Sequence, residues 1–175
     1  MSLSSDNQIC IAYCNTSGLV EAFETDTEGE VYRSLFSTHV EVENPVTGSL
    51  GTCAANSLSL ISEGLVVAAD DGTIRLASME GTWIAKARQH NAAVVKVIGL
   101  CHHDCLLSLG ADHRLVLWRL ADGPSFTVLS ELTMTGIGDP QDFTVVTMDE
   151  NRRSYLAMVS GSGLQLCSIR MLEHI

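Results

Sequence analysis

Residues 101 to 105 read CHHDC, two thiols, two imidazoles and a carboxylate within five positions. Zinc takes Cys and His ligands, so one chemistry on offer is a metal centre held by Cys101, His102, His103 and Cys105. A single Cys-x3-Cys is a weak zinc signature, and it needs a second matching pair. Cys10 and Cys14 do not supply one: along a strand they stand about 13 Å apart, too far to share an ion. The segment falls between two apolar runs, AAVVKVIGL and LLSLGADH, where a chain that turns back on itself needs a polar bend. A hairpin turn with no metal is therefore the expected reading, and a zinc site is the alternative.

A second set of residues, His90, Ser108 and Asp112, has the types used in nucleophilic catalysis. Other candidates are weaker. SGSG at 160–163 follows an apolar run but lacks the third glycine and the following helix of a nucleotide-binding loop. Arg152 and Arg153 form a small basic tip, and DTEGE at 26–30 an acidic loop.

The elements that must position these groups come next. The chain has 175 residues, 46% hydrophobic and 18% charged, enough for one domain with a core. Its beginning, MSLSSDNQ, is polar and lacks the basic start and apolar run of a signal peptide, so a cytoplasmic protein without membrane contact is expected. Six cysteines with no recurring spacing read as reduced thiols, not as a disulfide framework. A net charge of −11 repels phosphate backbones, so nucleic acid would be reached only through a basic partner.

One scheme recurs four times: an apolar strand, a short polar turn, then a strand that alternates. The segments are ICIAYCNTSGLVEAFE, LVVAADDGTIRLAS, CLLSLGADHRLVLWRL and YLAMVSGSGLQLCSI. Each reads as a β-hairpin. The residues closing the second strands are Phe23, Ala77, Trp118 and Cys167, spaced at the 40–55 residues of propeller blades. Strand-like segments before and after each hairpin bring the count to four strands per repeat, and no stretch has a long helical period. The expected class is all-β: a polar leader over 1–8, then a partial propeller over 9–175 with blades near 9–37, 52–88, 91–133 and 141–175.

In the third repeat Ser108 lies eighteen residues and Asp112 twenty-two residues after His90, and Trp118 closes the strand. This spacing resembles the WD40-repeat family, in which the matching His, Ser, Asp and Trp form a hydrogen-bonded chain across one blade. The resemblance implies a structural tetrad of His90, Ser108, Asp112 and Trp118, and it leaves Trp118 without a place in a catalytic triad. The other repeats lack the full set and are expected to be held by apolar burial. About three and a half four-stranded blades do not close a ring, so further blades or another chain are expected to complete it.

HNAAVVKV, GADHRLVLWRLADGPSFTV and the closing GSGLQL together resemble the C-terminal end of the WD repeat-containing protein 6 family. That resemblance implies a non-catalytic, cofactor-free subunit. Its partner would be an FtsJ-type tRNA methyltransferase, which holds the S-adenosylmethionine and methylates the ribose 2'-hydroxyl of the wobble nucleotide. Contact with tRNA would be indirect. A WD40 interaction platform in another assembly, such as a ubiquitin ligase or signalling complex, is the alternative.

Overall fold

Alternation of apolar and polar residues gives strands, and among the described residues strands alone build the chain. The computed structural model describes residues 9–25, 32–100, 104–121, 125–149 and 153–171. A first sheet holds β1 (Ile9–Cys14), β2 (Leu19–Thr25) and β3 (Tyr32–His39). A small hairpin follows, β4 (Glu41–Glu43) with β5 (Leu50–Thr52). The second sheet is β6 (Ala55–Ile61), β7 (Gly64–Ala69), β8 (Thr73–Ala77) and β9 (Trp83–Arg88). The third is β10 (Val94–Leu100), β11 (Cys105–Gly110), β12 (Arg114–Ala121) and β13 (Ser125–Thr133). The last is β14 (Asp142–Thr147), β15 (Ser154–Ser160) and β16 (Leu164–Arg170). Every pairing is antiparallel between consecutive strands. No helix among the described residues is long and apolar enough to cross a membrane.

The sheets stack face to face with one apolar layer at each junction. Val20, Ala22 and Phe36 of the first meet Leu65, Val67 and Ala77 of the second. On its other face the second sheet turns Val66, Ile74 and Leu76 toward Leu106, Val116 and Trp118 of the third. The third in turn packs Leu107, Leu115 and Leu117 against Ala157, Val159 and Cys167 of the last. Strands covered on both faces need apolar side chains at nearly every position, which is why β7 reads as an unbroken run, GLVVAA, and β11 as CLLSLG, interrupted only by Ser108. The innermost strands are also joined by polar groups. Ser57 and Ser59 of β6 accept from the amides of Val97 and Gly99, and Lys96 of β10 pairs with Asp142 of β14 at 2.5 Å.

Register makes the repeats equivalent. Ile11 pairs with Phe23, Leu65 with Ala77, Leu106 with Trp118 and Ala157 with Cys167. In the first three sheets a bulge falls just before that marked residue, at Ala22/Phe23, Leu76/Ala77 and Leu117/Trp118. Hence β1 matches the second strand of the complete sheets, and β14 the first. Among the described residues the first sheet has no innermost strand and the last no outermost one. Three and a half blades' worth of strands are thus arranged as three, four, four and three, and the stack is open at both ends. The β4–β5 hairpin is an insertion that stretches the first repeat.

Candidate functional site

The four marked residues of the third repeat come from four places: His90 from the loop after β9, Ser108 from β11, Asp112 from the turn, Trp118 from β12. The structure brings them into one chain. Trp118 Nε1 donates to Ser108 Oγ at 2.8 Å. Ser108 Oγ lies 2.7 Å from His90 Nε2, and His90 Nδ1 lies 2.9 Å from Asp112 Oδ1. An ionised carboxylate only accepts, so Nδ1 carries the imidazole proton, Nε2 accepts from the serine hydroxyl, and the hydroxyl accepts from the indole. Each donor then has one acceptor, which is the condition for a buried polar network to favour a single arrangement.

Asp112 anchors the end of this chain. It also accepts from the Asn91 amide at 2.8 Å and from Arg114 Nε at 2.8 Å. Arg114 is tied further to Glu131 and to the Gln89 carbonyl. Burial alone would push the Asp112 carboxyl up, but the bonds from His90, Asn91 and Arg114 override it and hold the group at about 2. Burial pushes the His90 imidazole below its ordinary value, and the Asp112 charge offsets only part of that. The imidazole is therefore neutral near pH 7.

Both shifts have the same sign for stability. A group whose folded-state affinity for protons is depressed stabilises the fold above its unfolded pKa and loses that contribution as pH falls. Protonating His90 also puts a proton on Nε2 and leaves the serine hydroxyl without its acceptor. Urea midpoints are expected to fall as pH drops below about 6.5, where free imidazole titrates, and again between the ordinary 3.8 of Asp112 and about 2. In His90→Gln the first step should vanish. An unchanged slope between pH 7 and 5 in that variant would show that His90 does not set it.

The geometry has the order of a hydrolase triad, but the hydroxyl is not available to a substrate. Ser108 and His90 are 0% exposed, and the Ser108 hydroxyl is already engaged by the buried Trp118 indole. A nucleophile must reach its target, and here every approach is filled by core side chains. The arrangement is one that holds a loop, two strands and a turn in register.

Two contributors were not singled out in the sequence. Gly110 ends β11 beside the His90–Asp112 bond, where an added Cβ would stand 2.2 Å from His90 Nδ1 and 2.3 Å from Asp112 Oδ1. Its place two residues before the aspartate was the available signal. Gly110→Ala is expected to break the imidazole–carboxylate bond and cost about 1–3 kcal/mol, measured by urea unfolding. A loss below about 0.5 kcal/mol would mean that the loop simply shifts aside. Arg114 was the other, since an arginine following a turn reads as solvated.

The second repeat departs from the expectation of apolar burial alone. Asp71 accepts from Thr73 Oγ1 at 2.5 Å and from Arg75 Nη2 at 2.8 Å, while Arg75 Nε donates to Thr73 Oγ1 and Nη1 to the Glu41 carbonyl. Arg75 is 5% exposed. This repeat has lost the histidine and serine but keeps the turn aspartate, with an arginine to satisfy it. In the other two repeats apolar contacts do replace the chain. Phe23 stacks on Tyr13, and Cys167 is buried with its Sγ 3.9 Å from Met134 Sδ.

Of the CHHDC segment, Cys101, His102 and His103 lie outside the described residues, as do the leader 1–8, the loop 26–30 and Arg152. Cys105 points into the core between the last two sheets, and burial raises its thiol pKa. Among the described residues no three His, Cys, Asp or Glu side chains converge as a metal group. SGSG is the turn between β15 and β16, tied by Ser162 to the Gly138 carbonyl.

No family model and no curated protein matches the sequence. The backbone is similar to the crystal structure of Saccharomyces cerevisiae Sqt1, with a TM-score of 0.71, 15% identity, and 94% of this chain and 42% of that chain covered. It is also similar to a chain in the crystal structure of the Mitotic Checkpoint Complex, with a TM-score of 0.68, 14% identity, and 97% and 47% covered. The chain thus spans less than half the length of either, and at such identities the likeness is one of fold. With its stacked four-stranded antiparallel sheets and open ends, the chain has the fold of a partial WD40-type β-propeller.

Proposed function

We propose that the chain is a non-catalytic scaffold subunit that presents rigid surfaces to partner proteins. One observation carries this: the His, Ser and Asp that have the types for catalysis are sealed in the core, holding strands in register. The finer reading is a cytoplasmic subunit supporting 2'-O-methylation of the tRNA wobble nucleotide. In it an FtsJ-type methyltransferase binds S-adenosylmethionine and carries the chemistry. Support for it is the run of residues from His90 to Leu166 that resembles the WD repeat-containing protein 6 family. The net charge of −11 agrees with tRNA being held by the partner. The test is co-purification of the tagged protein with a methyltransferase, together with wobble-ribose methylation measured by mass spectrometry of tRNA nucleosides after gene deletion. Loss of the modification supports the reading, and unchanged methylation overturns it.

A second reading is a platform in another assembly, such as a ubiquitin ligase or signalling complex. It draws on the likeness to a chain of the Mitotic Checkpoint Complex. Co-purification dominated by such partners, with tRNA modification unaltered, would favour it.

A further inference from the structure

The connector from β3 to β6 spans residues 40–54, whereas those from β9 to β10 and from β13 to β14 span 89–93 and 134–141. The extra length is the β4–β5 hairpin, and its base is locked to the first two sheets. The amide of Val40, a residue 0% exposed, donates to the Gly18 carbonyl, its carbonyl accepts from the Cys53 amide, and Arg75 Nη1 donates to the Glu41 carbonyl. The tip is locked as well. Asn44 Oδ1 accepts from the amides of Val46 and Thr47, and the Asn44 backbone bonds to both Ser49 and Gly48. An isolated two-stranded hairpin is marginal in water, so these ties are what fix its shape.

That fixed shape presents apolar side chains to solvent. Val46 at the tip is 90% exposed and Leu50 70%, the two highest values for large apolar residues among those described. Neither belongs to a core layer, so the packing of the sheets does not require them. Directly opposite residues of an antiparallel pair share a face, as do alternate residues of one strand. Glu43 is opposite Leu50 and Glu41 opposite Thr52, so both carboxylates stand on the face of Leu50, and half-buried Val42 turns the other way. Among the described residues neither carboxylate has an ion-pair partner. The cations at the base are engaged elsewhere: Arg75 lies 2.8 Å and Lys86 3.8 Å from Asp71. The projecting part is thus aliphatic and acidic.

We propose that the β4–β5 hairpin is a docking knob for a partner protein, which receives Val46 and Leu50 in an apolar groove and sets Lys or Arg side chains on its rim against Glu41 and Glu43. Burial of the two aliphatic side chains supplies affinity. The carboxylates orient the encounter and speed it. Because the hairpin is fixed beforehand, little ordering is lost on binding. A second copy is a poor occupant, since it would bring the same acidic hairpin and a net charge of −11. The same carboxylates repel nucleic acid. The inference rests on the scaffold reading and names one of its contact surfaces.

The test is photo-crosslinking in the cells of its source, with p-benzoylphenylalanine in place of Val46 in the tagged chain and mass spectrometry of the linked peptides. It should join the hairpin to an apolar stretch of one co-purifying protein, with Lys or Arg nearby. With that protein purified, Val46→Asp should weaken binding about tenfold or more, and the milder Val46→Ser should fall in between. Glu41→Lys together with Glu43→Lys should slow association and remove its dependence on salt. Reversing the charge of the crosslinked rim in the partner should then restore both. Urea midpoints of all these variants should equal that of the parent chain, because the substituted side chains are exposed. Partners that co-purify yet neither crosslink at position 46 nor respond to the substitutions would overturn the docking site and leave the scaffold reading in place. Absence of any co-purifying protein would remove both. Crosslinks to a second copy or to nucleic acid, or association unaffected by salt and by charge reversal, would also overturn the proposal.

Discussion

Trp118→Ala is expected to remove about 3–5 kcal/mol of stability, the usual cost of truncating a large core aromatic. A domain of this size has about 5–15 kcal/mol in total, so the variant should be largely unfolded at modest urea or at 37 °C. The indole is 2% exposed and fills the layer between the second and third sheets, edge-on to Phe126. Two losses add up. A cavity opens against Val66, Ile74 and Leu106, and Ser108 loses the donor that orients its hydroxyl toward His90. Trp118→Phe separates them, because it keeps most of the burial and removes only the N–H. It should cost about 1–2 kcal/mol from the hydrogen bond. Urea unfolding followed by near-ultraviolet circular dichroism measures both. A loss under about 1 kcal/mol in the alanine variant would mean that this layer is not what joins the sheets.

The fold was legible because its signals are local. A hairpin must alternate, must bend at a polar or glycine-containing turn, and must fit a fixed length, so the distances from His90 to Ser108, Asp112 and Trp118 in sequence are set by strand length and turn size. The same arithmetic makes Phe23, Ala77, Trp118 and Cys167 equivalent, and the bulges beside the first three give them one place in the sheet. What escaped the sequence reading depends on contacts distant in the chain. The β4–β5 insertion is polar, with Pro45 and Gly48 in its turn, and reads as loop because its pairing has no apolar pattern. Gly110 matters only because the imidazole of His90 arrives twenty residues away in sequence.

Arg75 is the clearest instance, and it carries the second large effect. An arginine in TIRLA reads as an outward residue of an alternating strand, yet the whole of β8 is buried, and its side chain is 6% exposed beside Asp71 at 17%. Its guanidinium satisfies Asp71, Thr73 and, across the insertion, the Glu41 carbonyl at 2.7 Å. Arg75→Ala is expected to cost about 3–5 kcal/mol, the range for removing one partner of a buried ion pair, because Asp71 is then left with only the half-exposed Lys86, 3.8 Å away, as its countercharge. Arg33→Ala provides the contrast. Its pair with Glu24 spans 4.0 Å with Arg33 78% exposed, and its loss should cost under about 1 kcal/mol. Substituting both partners, Asp71→Asn with Arg75→Met, should recover part of the stability lost in Arg75→Ala, since no buried charge is then left alone. A double-mutant cycle on urea midpoints measures the coupling. Additive effects at Asp71 and Arg75 would mean that the arginine acts through its contact with the Glu41 carbonyl, tying the β4–β5 insertion to the second sheet. Strong coupling would identify the pair as the second repeat's own counterpart of the chain that ends at Asp112.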